Sequence, residues 1–436
     1  MSEVRPGVLM VGAGEYTTGC VFTAAGAAPD KPAGVVAITM ADLRRRGKVH
    51  PTRMVLADAV GSKMPTVRAT MKEKISDAYK EMDLSMETLP ADDVDFDAEA
   101  YKAAIARMQK GDVVTIFTPD DTHFQIALEC IKAGLHVLIA KPAVKTLEHC
   151  RALVQAAEEQ GDVLVAVEYH KRFDPIYTDA RDRIRGLGAF SFFNSTMTQP
   201  KAQLDTFRTW AGKSSDISYY LNSHHMDVHA WSVSHMARPK SVSAVAARGC
   251  AEARLQPTDG RTIEDTITVI SEWENDASVD APGAVGTALY TASWVAPKAD
   301  CHTQQYFHYM GFKGEIRADQ AHRGYTGSTD ENGFAALNPL YMKYTPNANG
   351  YFAGQNGYGY RSIEVFVDAA HAINTGATTV ANVCAEGVLA TIDSALYVTA
   401  LLEAGRLSLD NEGCRVAIAY DDGSHPRRPT ALKLQR

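Results

Sequence analysis

The sequence predicts an α/β protein in two parts. A doubly wound parallel sheet over residues 1–168 is followed by an α+β domain over 169–436 with a large, mainly antiparallel sheet. Three observations predict it. Short, wholly apolar, β-branched runs alternate with helical patterns in the first part, the signature of βαβ units. Those runs lack polar alternation, as strands covered on both faces should. Beyond residue 168 the strands lengthen and alternate, with helices set apart from them, which marks an α+β domain.

Val8–Val11 is the first apolar run and ends at a glycine. Val35–Thr39 reads as the second strand, Asp112–Phe117 as the third, His136–Ile139 as the fourth and Val163–Val167 as the fifth. Helical spacing is expected over Phe124–Ala133 and Leu147–Gln160. The stretch 44–95 exceeds a simple crossover and reads as an insertion, with a charged helix over Val67–Met82. In the second part, Ser241–Ala246, Thr266–Ile270 and Ala288–Trp294 alternate as half-buried strands do. Helices are expected over Asn222–Ser234, Ser362–Thr375 and Cys384–Ala404. Asp319–Gln355, rich in Gly, Asn and Tyr, reads as a long loop.

The 436 residues carry 44 Lys+Arg against 52 Asp+Glu, a formal charge of −8. That balance argues against a nucleic-acid partner, which calls for a basic surface. Hydrophobic residues at 45% exclude a disordered chain. Seven cysteines without a Cys-x-x-Cys pair suit reduced thiols and a cytoplasmic protein. The N-terminal residues lack the features of a signal peptide. The most apolar stretch, Val383–Leu402, contains Glu386 and Asp393, so no membrane span is expected.

The first strand runs into Gly12-Ala13-Gly14-Glu15-Tyr16-Thr17-Thr18-Gly19. Two glycines after a strand permit a tight turn and close backbone approach to a pyrophosphate, and the next helix offers free N–H groups. The third glycine of G-x-G-x-x-G is replaced by Thr17, and Thr17 or Thr18 is a candidate hydroxyl donor to phosphate. Asp42 is the candidate ribose-binding acid; its excess distance from Gly12 is assigned to the loop Ala27–Gly34. An acid there favours NAD over NADP, although Arg44, Arg45 and Arg46 follow at once and suit a 2′-phosphate.

Two further stretches carry the chemistry: Phe117-Thr118-Pro119-Asp-Asp-Thr-His123 with Ala140-Lys141-Pro142, and Tyr219-Tyr220-Leu-Asn222-Ser-His224-His225-Met-Asp227. With the glycine loop they resemble the glucose–fructose oxidoreductase, inositol dehydrogenase and rhizopine-catabolism (Gfo/Idh/MocA) family of NAD(P)-dependent oxidoreductases. The resemblance is clear over about residues 7–235 outside 44–95. It implies a Rossmann domain and hydride transfer between nicotinamide and a CH–OH or C=O group of a sugar, sugar derivative or cyclic polyol.

The resemblance also assigns roles. Lys141 sits by the nicotinamide and polarises the reacting oxygen, and His224 is the general acid/base; Tyr220, where the sequence departs from the family pattern, is a candidate to orient His224 or meet substrate. Gly12, Gly14, Glu15, Tyr16, Thr17, Asp42, Arg44, Thr118, Pro119, His123 and Lys141 hold the cofactor. His170, Arg172, Asn222 and His225 are the substrate-side candidates. Two departures stand out: Ala140 replaces the family's Glu before Lys-Pro, and Tyr220 replaces the leading Asp of Asp-x-x-x-His-x-x-Asp. They leave room for a catalytically weak, dinucleotide-binding regulatory protein. No metal is expected, because His224, His225 and His229 lack an accompanying acid or thiol pattern. The resemblance implies a homodimer or homotetramer.

Overall fold

The computed structural model describes residues 5–22, 29, 31–276, 279–331, 333–421 and 428–435. Contacts divide the chain into two compact units. The first comprises residues up to Ala143, then Ala152–Phe173 and Pro339–Ile392. The second comprises Val144–Arg151, Asp174–Asn338 and the residues from Asp393 on. A single cut at 168/169 therefore differs from the observed division. Residues 339–392 return to the first unit because helix Tyr358–Asn374 puts Ile363, Phe366, Val367 and Ala370 into its core.

In the first unit, six parallel strands are β1 (Val8–Val11), β2 (Met54–Ala57), β3 (Glu87–Leu89), β4 (Val113–Ile116), β5 (His136–Ile139) and β6 (Val165–Val167). Their order is β3-β2-β1-β4-β5-β6, with Ala390–Thr391 added antiparallel on β6. This is the doubly wound arrangement, and its direction reverses between β1 and β4. All four residues of β1, β2, β4 and β5 are buried, which explains their unalternating composition.

Two expectations need correction here. Val35–Thr39 is not a strand. After the four-residue helix α1 (Glu15–Thr18), it opens helix α2 (Val36–Arg45). Every residue from Val36 to Arg44 is buried, so the run shows no polar face, and periodicity alone cannot separate it from a buried strand. The true second strand is Met54–Ala57, in register with Val8–Val11. The stretch 44–95 is thus not an insertion: it holds β2, helix Met64–Met71 with its π-helical extension Lys72–Ser76, and β3. Residues 27, 28 and 30 of the Ala27–Gly34 loop lie outside the described residues.

The second unit centres on an eight-stranded sheet. Its order is Gly314–Asp319, Gln304–Gly311, Phe190–Pro200, Val285–Ala296, Glu264–Asn275, Ala237–Arg248, Arg415–Tyr420 and Pro429–Gln435. Neighbours run antiparallel except Phe190–Pro200 beside Val285–Ala296. The expected loop 319–355 contains a hairpin, Thr326–Thr329 with Gly333–Ala336. The expected single helix 384–404 is broken by left-handed Gly387 into Val380–Glu386 and Leu396–Asp410. Among the described residues, no helix is long and apolar enough to cross a membrane.

Candidate active site

In the first unit, the candidate residues gather at the carboxyl ends of the parallel strands, where open α/β sheets bind ligands. Gly12 follows β1 with φ +98°, and a Cβ there would stand 2.2 Å from the Phe117 carbonyl oxygen after β4. Only glycine lets the two loops approach this closely. Gly14, by contrast, is exposed, and a Cβ on it would meet nothing within 4 Å. It forms the N-cap of α1. The open space over Gly14 fits a bound pyrophosphate, which needs bare backbone at a helix start.

The threonines after it serve the loop itself. Thr18 donates its hydroxyl to Ala13 O at 2.9 Å, and Thr17 is buried with its backbone N–H on Gly14 O at 3.1 Å. Glu15 accepts from the Lys31 N–H at 3.1 Å. Tyr16 stacks on Phe117, centroids 4.8 Å apart, and lies 3.3 Å from His170 Nδ1.

Asp42 is corrected. It lies within α2, wholly buried, and its carboxylate accepts from Arg45 (2.6 Å), Tyr360 (2.7 Å) and Gln355 (3.2 Å). Arg44 is likewise turned inward, donating to Ser85 O at 2.8 Å and Asp83 at 3.0 Å. The acid at the end of the second strand is Asp58, which the sequence reading missed because β2 was hidden in the supposed insertion. Asp58 accepts from the Ala13 N–H at 2.9 Å, tying the end of β2 to the glycine loop. The detectable signal was a short apolar run, Met54–Ala57, ending in an acid.

Thr118 and Pro119 follow β4, and Lys141 follows β5 by two residues. Burial pulls the Lys141 ammonium down to about 7; Asp120 opposes the shift, while Lys171 and Lys31 reinforce it by repulsion. His123 is not turned toward a ligand. It is fully buried, with Nε2 2.9 Å from Thr118 O and Nδ1 3.0 Å from Pro142 O. It braces the loop after β4 against the loop after β5.

Beyond β6, Glu168 is buried and accepts from Ser362 at 2.7 Å. Burial pushes its carboxyl up to about 8, against the hydrogen bonds of Ser362 and Tyr16. His170 stacks on Tyr358 at 5.5 Å, and burial with three nearby lysines lowers its pKa well below the usual value. Arg172 is buried and donates to Leu389 O at 3.3 Å.

In the second unit, helix Ser223–Val233 follows a π-helical turn, Ser218–Asn222, a distortion frequent at functional sites. His224 is buried at 4% exposure on the first turn after it. Asn222 and His225 are corrected as substrate contacts. Asn222 is spent on Ser218 Oγ at 3.0 Å, and His225 Nε2 lies 2.9 Å from the Tyr177 hydroxyl. His229 lies against Tyr290 at 2.6 Å and stacks on Phe193, so it packs the helix onto the sheet. Tyr220 is partly exposed and rests on Phe207 and Trp210. Among the described residues, the group of potential metal ligands that converges is elsewhere: Asp300, Cys301 and His322.

A family model for an oxidoreductase family with an NAD-binding Rossmann fold matches residues 7–169. Inositol 2-dehydrogenase 1 of Saccharopolyspora erythraea is 28% identical over 196 residues, covering 40% of this chain and 53% of that protein. The chain thus spans about half the length of this curated relative. The NAD complex of GenD2 from gentamicin A biosynthesis superposes with TM-score 0.62 at 19% identity, covering 95% of this chain and 97% of that one. Scyllo-inositol dehydrogenase of Lactobacillus casei, with NAD(H) and scyllo-inositol bound, superposes with TM-score 0.60 at 14% identity, covering 95% and 99%. The glycine loop and the six-stranded doubly wound order agree with the matched segment, and over residues 7–169 the chain is similar to the Gfo/Idh/MocA oxidoreductase family.

Proposed function

We propose that the protein is an NAD-dependent dehydrogenase or reductase acting on a CH–OH or C=O group of a sugar, sugar derivative or cyclic polyol. The observation that carries this reading is Lys141: a largely buried lysine at the carboxyl end of β5, with its pKa pulled down to about 7. An active-site group so perturbed suits proton handling at neutral pH. The inositol dehydrogenases among the relatives support the substrate class.

The bound nicotinamide would supply the hydride chemistry. The chain's residues bind, orient and move the proton. The Gly12–Gly14 backbone cradles the pyrophosphate, and Asp58 takes the ribose hydroxyls, which favours NAD because a carboxylate repels a 2′-phosphate. Lys141, as a cation, steadies the negative charge that grows on the substrate oxygen during oxidation. His224 accepts the hydroxyl proton, a role that rests on the family resemblance. The same reading includes a homodimer or homotetramer. One face of the large sheet leaves Val245, Ile270, Tyr306 and Met310 exposed, which suits a covering copy.

The test is turnover of NAD and NADP, followed at the nicotinamide absorbance, against a panel of sugars, inositols and sugar acids. Turnover that vanishes in Lys141→Met and His224→Ala supports the reading. Tight dinucleotide binding with no turnover in either direction overturns it in favour of a regulatory protein.

A further inference from the structure

Outside the dinucleotide-binding unit, the loop between strands Val285–Ala296 and Gln304–Gly311 meets the segment that follows strand Gly314–Asp319. Asp300 and Cys301 come from the first and His322 from the second. One carboxylate oxygen, one sulfur and one imidazole nitrogen lie within 4.8 Å of one another. We propose that Asp300, Cys301 and His322 form a binding site for a zinc-class divalent cation.

The donor set selects the ion. A thiolate, an imidazole and a carboxylate together suit a borderline-soft metal, and exclude the hard, all-oxygen sites of calcium and magnesium. Tetrahedral zinc bonds place ligand atoms about 3.5 Å apart, so the three side chains need close by only about an ångström. Asp300 and Cys301 are partly buried and His322 is exposed, so rotation of side chains achieves this. Solvent reaches the group and supplies a fourth ligand.

The histidine is already dressed for the task. Its Nδ1 faces Asp319 at 2.9 Å, and its Nε2 faces both Asp300 carboxylate oxygens at 3.3 Å. Hydrogen bonds to Asp319 and Asp300 raise the pKa of the ring, so without metal the imidazolium offers one N–H to each carboxylate. A cation that binds between Nε2 and Asp300 takes the place of the Nε2 proton, which passes to solvent, while Asp319 keeps the Nδ1–H and fixes the ring. A carboxylate behind a metal-binding histidine is the usual support for such a ligand. The backbone is fixed as well: Asp319 accepts from the N–H groups of Ala321 and His322, and Ala336 N donates to Asp300 O at 2.7 Å. On binding, the Cys301 S–H bond breaks, its proton passes to solvent, and a metal–sulfur bond forms.

Cobalt(II) reports the site without any catalytic readout. The chelator-treated full chain, kept reduced with a non-thiol phosphine, is titrated with cobalt(II) and then zinc. The expected result is one equivalent of cobalt with a near-ultraviolet thiolate charge-transfer band, displaced by zinc. Cys301→Ser removes the band, His322→Ala lowers affinity, and Asp319→Asn weakens zinc binding about 10- to 100-fold. Circular dichroism confirms that each variant is folded. Absence of the band overturns the proposal. So does a band that persists in Cys301→Ser, which would place the sulfur at exposed Cys250 or Cys384.

Discussion

Lys141 and Glu168 have been moved toward neutrality from opposite sides, one down to about 7 and the other up to about 8. Burial is the leading cause for both, because a low-dielectric setting disfavours either charge. If the Lys141 cation steadies the developing alkoxide, kcat/KM for alcohol oxidation falls as pH rises through about 7. Lys141→Arg keeps the charge and should carry that alkaline limb out of the measurable range, while Lys141→Met should lower kcat by about 10³-fold. The Glu168 carboxyl has a different consequence. The native state holds a proton that the unfolded chain releases near pH ~4.3. Between that pH and about 8, native protein therefore binds more protons, and stability declines with rising pH. The slope is about 1.4 kcal/mol per pH unit for one such group. Denaturant titrations across that range should show it in the parent and lose it in Glu168→Gln. Asp58 and Asp42 separate binding from folding in the same way. Asp58→Asn, which keeps an acceptor for the Ala13 N–H, should raise the KM for NAD at least about tenfold with little change in stability, as loss of a charged ribose contact does. Asp42→Ala should leave KM alone and cost about 3 kcal/mol, because it strands Arg45 and Tyr360 around a lost buried acid.

Elements decide which of these residues the sequence could disclose. Strands β1, β4 and β5 were legible because a parallel strand buried on both faces leaves an apolar run bounded by turns. Lys141, Thr118 and the glycine loop inherit their places from those strands. Helix α2 was not legible, since its total burial erases the polar stripe that separates helix from strand. That one ambiguity displaced β2, turned two of the six parallel strands into an insertion, and put the candidate ribose acid at Asp42 instead of the end of β2. His123, Asn222 and His225 were misjudged for another reason. Polar residues near strand ends and in motifs resemble ligand contacts, and only the partners in space show them bracing backbone or packing rings. The two glycines after β1 give an element-level test. Gly12→Ala should be destabilised by more than about 2 kcal/mol, from positive φ and collision with Phe117 O. Gly14→Ala should keep its melting temperature and lose dinucleotide affinity, because its Cβ enters only the open space above α1. Calorimetry and cofactor titration distinguish the two.

At the scale of the whole molecule, the first unit is discontinuous. The fold class was legible as two domains, but contiguous boundaries were the natural expectation, since sequence pattern shows elements and not which core receives them. Helix Tyr358–Asn374 supplies apolar side chains to the Rossmann core, and Arg46 and Lys48 both reach its Glu364. A fragment of residues 1–173 should therefore fail to unfold cooperatively in denaturant. Joining residues 339–392 to it through a flexible linker should restore a sigmoidal transition.

The returning segment also sets a timetable for synthesis. Nascent chains fold domain by domain as they leave the ribosome, at about 5–20 residues per second. Here the dinucleotide-binding unit waits for a helix encoded after most of the second unit. From Phe173 to Ile392, that delay is roughly 10 to 40 s. During it, helix α2 presents Met40, Leu43 and their neighbours without the partner helix. The N-terminal half thus starts first yet stays incomplete until residue 392 has emerged, shortly before the second unit receives its last strands, Arg415–Tyr420 and Pro429–Gln435, and that interval is the stage at which the young chain most needs shelter from aggregation.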